Sequence, residues 1–502
     1  MTIRNVRRKL QALDVGGPIP IYKTKLTRIT ANPIAVAFVR MAGEARPWGV
    51  VYGRVGQNDP SFLSVPDPRN GEDVRQMMET FAMWFLREMR AVSPWTDSPL
   101  SKENSTHRDL VQVWTPGSSH VEMLHFLQYQ YQLSRNAEGE PSALGAFGRL
   151  CGWLFRQSQL RGDQFVVDAS KLLREMYEFP ADDYSVSHLG AQLAWLNTPG
   201  TLSDKRQAAS EVVRQPLSIT MSPEFERANL YDLVSSQTYV DGVGVFEPKV
   251  RAKIHKFVAE ELQLRWSATL EAHRYAFQSD RRPENTALIG EVASQVASFC
   301  SGFNAPELGS DEEDAYTPPA TTSYSAFVSA REYLIAERAE QRWIPIVVHG
   351  DPEILMDVLL DGTGLGGTVK GIDSIQMGGF ARSRWHVTLS PRSGKYFKRR
   401  LQEKYAPYMT PGREVEVTDL SYTDGEWTVT LTWDAKTDPV LINDFEAQSK
   451  NEGWVGKKVA FVPSYADFLY YKSMEALSKA KGGANEWMFG SQDLVESDSE
   501  NG

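Results

Sequence analysis

Apolar positions near the start of the chain predict a β-meander. From Ile34 the chain reads IAVAFV, then WGVVYGRV after a turn between Gly43 and Pro47, and then SFLSV. Short apolar runs rich in β-branched residues and bounded by Gly, Pro and Ser are typical of buried strands. The pattern therefore predicts three strands that pair in sequence order.

The period then changes to that of a helix. Between Glu72 and Arg90 the apolar residues recur three and four positions apart, at Val74, Met77, Met78, Phe81, Trp84, Phe85 and Met89. Such a stripe indicates an amphipathic helix packed on a core. Leu110 to Trp114 (LVQVW) predicts a fourth strand followed by a helix after TPGSS, and Gln164 to Asp168 (QFVVD) predicts a fifth strand that leads into another helix.

The middle of the chain, from Lys205 to Trp343, has a helical pattern. Ser222 followed by Pro223 predicts one helix start, because proline is favoured at the first helical position. A longer helix is predicted from Pro248, and we expect these helices to pack as a bundle or brace. The segment 304–325 contains acids, prolines and small residues but few core formers, so it is predicted to be a mobile loop.

Alternation with period two returns from Ile344, in IPIVVHG, GTVKGIDSIQM, RWHVTLS, REVEVTDLSY and EWTVTLTW. Asp424-Gly425 between the last two runs is a strong hairpin signal. Several short strands with glycine-rich corners predict a small, partly closed OB-like barrel, with YFKRRLQEKYAPYM as a helix across its mouth. A strand KKVAFVP and a final helix are expected beyond the barrel.

The fold class predicted from these patterns is a multidomain α+β or α/β protein, since 502 residues exceed what one core normally supports. We expect a mixed sheet with helices in residues 1–204 and a helical domain in 205–343. A basic barrel is expected in 344–437, a strand and helix in 438–491, and a disordered tail in 492–502.

Three phrases, LVQVWTPGSSHVEMLHFL, DQFVVDASKLLREMYEF and YSVSHLGAQLAWL, carry a family resemblance. They resemble the later half of the ribonuclease H-like DEDD exonuclease module found in bacterial proteins upstream of superfamily 1 helicase motors. The resemblance covers roughly Ile34 to Asn197, and its motifs are short and degenerate. It implies a ribonuclease H-like N-terminal domain.

The acids that this family uses for catalysis do not follow the pattern. Such nucleases bind two metal ions through acidic residues that begin with Asp-x-Glu on the first strand, because two ions must hold the attacking and the leaving oxygen. Here the first strand offers no such pair, Glu44 lies beyond its end, and Glu122 and Asp168 are isolated acids. We therefore expect a catalytically inactive copy kept as a scaffold.

Other motifs give no site. Gly362, Gly364 and Gly367 match G-x-G-x-x-G, but a helix precedes them and a strand follows, which is the reverse of a dinucleotide site. His120 and His125 are five apart and diverge by about 140° on a helix, so they are interpreted as surface or capping histidines.

Nuclease-like and thiol chemistry are not predicted either. Asp241 with Glu247-Pro248-Lys249 imitates a restriction-type set, but the proline favours a helix start. Cys151 and Cys300 are expected to be buried free thiols in a reducing compartment. No catalytic residue, metal site or cofactor is predicted.

Charge singles out the segment from Lys370 to Lys404, which has nine lysine and arginine residues and two acids in a chain of net charge −10. Cations release counterions from a phosphate backbone, and aromatic rings stack on unpaired bases. The predicted nucleic-acid-binding residues are Lys370, Arg382, Arg384, Trp385, Arg392, Lys395, Tyr396, Lys398, Arg399, Arg400 and Lys404. The alternative is a solvated face whose charges pair with neighbouring acids.

These observations predict a cytoplasmic, non-catalytic accessory protein that binds single-stranded or double-stranded nucleic acid, with a helicase or nuclease as protein partner. No apolar run approaches the roughly 18 residues that span a bilayer, so no membrane partner is expected. Two alternatives stay open at this point: a metal-dependent nuclease, and an assembly subunit whose basic face docks on an acidic protein.

Overall fold

A computed structural model gives the fold of the chain. It describes residues 3–56, 59–91, 112–136, 139, 142–181, 183–240, 243–285, 352–360, 362–377, 380–389, 404–407, 415–434, 455–456 and 458–463, with isolated residues between 292 and 348. The chain forms two compact units, 1–284 with 295–323, and 285–294 with 324–502.

The first unit contains both strands and helices. Its strands are β1 Ile19–Pro20, β2 Ile34–Val39, β3 Gly49–Arg54, β4 Ser61–Ser64, β5 Val113–Thr115, β6 Val166–Asp168, β7 Tyr177–Glu178, β8 Thr238–Val240 and β9 Val243–Val245. Its helices are α1 Ile3–Val15, α2 Gly71–Ala91, α3 Ser118–Tyr131, α4 Ala143–Ser158, α5 Ala169–Met176, α6 Asp183–Val186, α7 Leu189–Asn197, α8 Leu202–Val212, α9 Pro223–Asn229, α10 Tyr231–Ser235 and α11 Pro248–Arg274, which continues as a π-helix over Tyr275–Ser279.

A five-stranded mixed sheet lies at the centre of this unit, in the order β4-β3-β2-β5-β6. β2, β3 and β4 form the predicted antiparallel meander, whereas β5 runs parallel to β2 and β6 runs parallel to β5. All residues of β2 are buried, as expected for a strand covered on both faces. If the five strands of this sheet are numbered 1 to 5 in chain order, starting from β2, their spatial order is 3-2-1-4-5.

One face of the sheet packs on α2 and α4 through aromatic rings. Phe38 meets Phe81 edge to face at 5.8 Å between ring centroids, and Tyr52 lies 4.5 Å from Trp84. Phe81 and Phe147 form a second edge-to-face pair at 5.4 Å. The predicted stripe of α2 is therefore confirmed as core, since such pairs add to the free energy of burial.

The opposite face packs on α11, and two glycines allow it to approach closely. A Cβ at Gly49 would lie 2.9 Å from Val258, and a Cβ at Gly53 would lie 3.2 Å from Trp266. Val258 and Trp266 lie eight residues apart on one face of α11 and are buried. The helix predicted for a bundle in the middle of the chain thus packs on the sheet instead, because its apolar stripe matches the glycine side of β3.

The second unit contains a closed antiparallel barrel. Its elements are α12 Pro352–Leu360 and the strands β10 Leu365–Met377, β11 Phe380–Leu389, β12 Lys404–Pro407, β13 Val415–Thr423, β14 Glu426–Asp434 and β15 Lys458–Pro463. The strand order is β10-β11-β14-β13-β12-β15, and β15 pairs with β10 to close it. Its core consists of Leu365, Val369, Tyr405, Val415, Val417, Val429, Leu431 and Phe461.

Several local predictions in this unit are confirmed. Asp424 and Gly425 form the hairpin between β13 and β14 with φ of 52° and 82°, the conformation that a two-residue turn of this type needs. Gly362, with φ of 78°, makes the turn between α12 and β10, so the glycine motif is a turn.

Three predictions near the barrel are wrong. Val347 and Val348 are helical instead of part of a strand, because a short apolar run does not separate a buried helix from a strand. Lys404–Pro407, predicted as helix, forms β12, where Tyr405 fills the barrel core. β15, predicted to lie beyond the barrel, closes it. The other predicted domain boundaries stay predictions.

Residues 184–196 and three segments near the C-terminal half of the chain remain to be placed in the fold. The phrase YSVSHLGAQLAWL, residues 184–196, forms most of α6 and α7, and His188 caps α7 by accepting from the Ala191 N–H at 3.2 Å. The predicted loop 304–325, the helix after β15 and the tail 492–502 lie outside the described residues.

Candidate functional site

The carboxyl ends of β2, β5 and β6 meet at one edge of the sheet, where α/β proteins usually bind ligands. The three acids singled out in the sequence do not converge there. Asp168 caps α5 by accepting from the Lys171 N–H at 2.9 Å, and burial raises the pKa of its carboxyl, which that N–H opposes. Glu44 accepts from Arg69 at 3.4 Å in a turn, and Glu122 is exposed on α3. Within the described ranges, no three His, Cys, Asp or Glu residues could hold a metal ion.

The chain itself covers this edge with the segment 217–221, here called the strap. The Arg40 N–H donates to the Ile219 carbonyl at 2.9 Å, and the Met221 N–H donates to the Arg40 carbonyl at 3.2 Å. The strap thereby continues the sheet beyond the end of β2 as a parallel bridge. Its alternate residues Leu217, Ile219 and Met221 are buried. The strap therefore lies beside the carboxyl end of β2, at this edge of the sheet.

His120 joins the strap to β2 and is fully buried. Its Nδ1 accepts from the Phe38 N–H at 3.1 Å, and its Nε2 lies 3.2 Å from the Leu217 carbonyl, to which it donates. Burial lowers the pKa of His120 to about 3, and the nearby Arg265 guanidinium adds to the shift. The ring is consequently neutral, with its proton on Nε2.

This position corrects the interpretation of the two histidines. His120 is neither a surface nor a capping residue. β5 pairs with only the first half of β2, so the ring satisfies a β2 N–H that none of the described strands reaches. His125, on the same helix, is half-buried and stacks on Phe155 at 4.4 Å. The two rings thus have different partners, one on β2 and the other on α4.

A buried ion pair on α11 holds the strap from the other side. Arg265 Nη1 lies 3.0 Å from Glu261 Oε2, with 0% and 6% of the two side chains exposed. Arg265 Nε also donates to the Ser218 carbonyl of the strap at 2.8 Å. A charge so deeply buried must be paired and hydrogen-bonded, and this guanidinium meets both conditions. The strap is therefore fixed to both the sheet and α11.

The predicted nucleic-acid-binding residues fall partly within the barrel strands. Lys370, Arg382, Arg384, Trp385 and Lys404 lie on β10, β11 and β12. The remaining candidates lie outside the described residues: Arg392, Lys395, Tyr396, Lys398, Arg399 and Arg400. The segment thus starts on the barrel strands, and in the sequence its densest group of cations follows β11.

Lys370 is the extra residue of a β-bulge, because the register of β10 with β11 shifts between Val369 and Gly371. Its side chain is 60% exposed, and Nζ lies 3.6 Å from Glu426 Oε2, which is equally exposed. An exposed pair of this kind contributes between zero and about 1 kcal/mol, so it leaves the lysine available to another anion.

The backbone register pairs the strand cations with acidic or polar positions. Arg384 is the partner of Asp373, Arg382 is the partner of Asp434, and Lys404 is the partner of Glu416. In the same register, Trp385 on β11 is the partner of Leu431 on β14, which belongs to the barrel core. On the strands the cations thus alternate with acidic positions in the backbone register, whereas in the sequence 392–400 the cations follow one another with no acid between them.

A polar chain on the barrel was not predicted from the sequence. His386 Nε2 lies 3.3 Å from Asp373 Oδ2, and its Nδ1 lies 3.2 Å from the Thr430 hydroxyl. Thr418 and Thr432 continue this face with hydroxyls 2.8 Å apart. The alternation of threonine with apolar residues in WTVTLTW is a signal that could have found it, because each second position shares one face.

The glutamines of the sheet were also missed. Gln112 accepts from the Thr30 N–H at 3.1 Å and donates to the Gln164 carbonyl at 3.0 Å, while Gln164 accepts from the Arg28 N–H at 2.9 Å. Both side chains are buried. A glutamine within an apolar strand pattern, as in LVQVW, signals such a structural hydrogen-bond network.

Comparisons with protein families, with curated proteins and with solved structures found no match for this chain. Over the described residues, no helix combines the length and the apolar character needed to cross a membrane.

Proposed function

We propose that this protein is a non-catalytic nucleic-acid-binding accessory protein. In this proposal the first unit is an inactive ribonuclease H-like scaffold, and the basic segment of an OB-like barrel contacts a phosphate backbone. The barrel differs in strand number from a five-stranded OB barrel, and the likeness rests on a small closed antiparallel body that carries a basic surface segment. The protein partner would be a helicase or a nuclease.

The sheet of the first unit supports the scaffold part of the proposal. An antiparallel meander, a helix, a parallel strand, two helices and a second parallel strand follow one another, with the meander's first strand at the centre. This is the order expected of a ribonuclease H-like core. The long α11 on the second face is an addition to that core.

The strap is the main support for the proposal that this unit is not a nuclease. A two-metal nuclease needs an open edge with converging carboxylates. At the corresponding edge this chain has a neutral buried histidine, a buried arginine–glutamate pair and backbone hydrogen bonds to its own strap. We infer that the edge serves stability, and that incubation with Mg²⁺ or Mn²⁺ and labelled DNA or RNA will give no cleavage. Metal-dependent cleavage would contradict this part of the proposal.

The charge pattern supports nucleic acid as the partner. The segment 370–404 is strongly basic, whereas the rest of the chain is net acidic. The rest of the chain would repel a polyanion, so the segment must supply the electrostatic attraction for nucleic acid. Lys395, Lys398, Arg399 and Arg400 would contact phosphates, and Tyr396 would stack on bases, whereas Trp385, the register partner of the core residue Leu431, is given no base contact in this proposal. The strand cations, whose register partners are acidic positions, would contribute less than these residues.

Fluorescence anisotropy with labelled single-stranded DNA and RNA tests this interface. The variant K398E/R399E/R400E removes three cations and should lose at least tenfold in affinity at low salt, because three phosphate contacts are lost. The matched control is K249E/K253E/K256E, which makes the same change in net charge on the exposed side of α11. Equal binding by wild type and K398E/R399E/R400E would contradict the interface, and equal losses in both variants would indicate an effect of net charge alone.

A further inference from the structure

Three arginines from separate elements line one cleft of about 300 Å³ in the first unit. Arg46 lies in the turn between β2 and β3, Arg75 lies on α2, and Arg135 follows α3. Gly71 makes room for one of them, since a Cβ there would lie 3.2 Å from Arg46 Nη1. The volume is at the lower end of that of small-molecule sites.

These guanidinium groups have no carboxylate partner within the described residues, and Arg75 makes no side-chain hydrogen bond there either. Arg46 donates to the Arg69 carbonyl at 3.2 Å, and Arg135 donates to the Gly139 carbonyl, so each keeps further N–H groups. Other arginines of this unit are paired: Arg54 with Glu88 at 2.7 Å and Arg282 with Asp280 at 2.6 Å. None of the described residues that line the cleft is acidic.

Buried side chains form part of the lining of the cleft. Val74 and Tyr131 are 2% and 5% exposed and contribute an apolar wall with one phenol hydroxyl. Burial raises the pKa of Tyr131 to about 12, and the guanidinium groups of Arg46 and Arg75, which line the same cleft, oppose that rise. Gln130 and Ser134 add neutral polar groups. The site thus combines cations, neutral hydrogen-bonding groups and an apolar wall.

We propose that this cleft binds a terminal phosphate monoester, carried either by a free nucleotide or by the end of a nucleic-acid strand. Guanidinium groups match phosphate oxygens in pairs of parallel hydrogen bonds. A phosphate monoester carries about −1.5 to −2 at pH 7, whereas an internal phosphodiester or a carboxylate carries a single charge, so the monoester neutralises three cations best. The apolar wall with Tyr131 would contact the attached nucleoside. This inference does not rest on the proposed interface of the barrel.

Isothermal titration calorimetry with the full chain tests the site, using AMP, adenosine, and one oligonucleotide with either a 5′-phosphate or a 5′-hydroxyl. Wild type should bind AMP and not adenosine at millimolar concentration. R75Q should weaken AMP binding roughly tenfold to a hundredfold, since a charge-assisted hydrogen bond is lost. The matched control is R87Q on the same helix, whose side chain is 70% exposed and lies outside the cleft. It should bind AMP as wild type does.

The oligonucleotide pair distinguishes the two sources of the phosphate. Tighter binding of the 5′-phosphorylated strand than of its 5′-hydroxyl counterpart assigns the site to strand ends, because the barrel contributes equally to both, whereas AMP binding with equal affinity for the two strands assigns it to free nucleotides. No AMP binding together with equal binding of the two oligonucleotides would overturn the inference, as would equal AMP affinity of R75Q and wild type. The barrel variant K398E/R399E/R400E should leave AMP binding unchanged, so failure of one proposal is distinguishable from failure of the other.

Discussion

The substitution His120→Gln should make the stability of the first unit less sensitive to acid. In the folded chain the ring is held neutral by burial and has a pKa of about 3, whereas in the unfolded chain it has the ordinary value near 6.5. The unfolded state therefore binds the proton more strongly between these values. The contribution of neutral His120 to the free energy of unfolding is fully present above about pH 6.5. It decreases as the pH falls toward 3, by up to about 1.4 kcal/mol per pH unit.

The expected size follows from the two pKa values. At pH 5.0 protonation of an unfolded histidine lowers the free energy of unfolding by about 2 kcal/mol relative to pH 7.5. His120→Gln removes this contribution, although it should cost about 1–3 kcal/mol at pH 7.5 because the Phe38 N–H and the Leu217 carbonyl would be less well paired. The free-energy difference between wild type and the variant should thus be about 2 kcal/mol smaller at pH 5.0.

Urea unfolding at pH 7.5 and pH 5.0, with pulsed hydrogen exchange on peptides from β2, measures this difference for the first unit. The other histidines are common to both proteins, so their contributions cancel. His125→Gln is the control, and it should change the pH dependence much less because that ring is half-buried. A difference between wild type and His120→Gln that is the same at both pH values would refute a buried neutral His120.

Three further substitutions test the packing. Glu261→Gln should destabilise the first unit by about 3–5 kcal/mol in urea unfolding, because it leaves the Arg265 charge buried without its partner. The control Glu260→Gln on the same helix should cost less than about 1 kcal/mol, because its ion pair is exposed. Similar costs for both substitutions would contradict a buried pair. Gly49→Ala should cost about 1–3 kcal/mol, since the new Cβ would lie 2.9 Å from both the Leu63 carbonyl and Val258, and an unchanged midpoint would disprove the close approach of α11. Gly425→Ala should lower the melting temperature of the barrel by forcing a side chain into the left-handed region at a cost of about 1–2 kcal/mol, and a neutral effect would contradict the turn conformation.

Local patterns predicted the elements that are specified by their own sequence. The runs from Ile34 to Val65 fix the meander, because each strand is bounded by turn residues and buried on its apolar positions. The stripe of α2 and the Asp424-Gly425 hairpin are similarly local. In each case the periodicity and the turn chemistry agree, so no distant contact is needed to choose the structure.

The features that were missed depend on partners far apart in the chain. The strap joins Arg40 to Thr220, 180 residues apart, and no local pattern marks it as an extension of the sheet. Lys404–Pro407 forms a strand because β13 and β15 are on either side of it, which overrides its local pattern. The arginine cleft combines residues of three elements that follow no common period, so sequence inspection alone could not assemble it.

The dependence of nucleic-acid binding on salt concentration tests the central claim most directly. For single strands the slope of log K against log salt is about −0.7 for each phosphate that the protein neutralises. Wild type should show a steep slope, K398E/R399E/R400E should show a slope shallower by about 2, and K249E/K253E/K256E should keep the wild-type slope. Binding that is absent in wild type, or a slope that is the same in wild type and K398E/R399E/R400E, would contradict a phosphate-binding barrel segment.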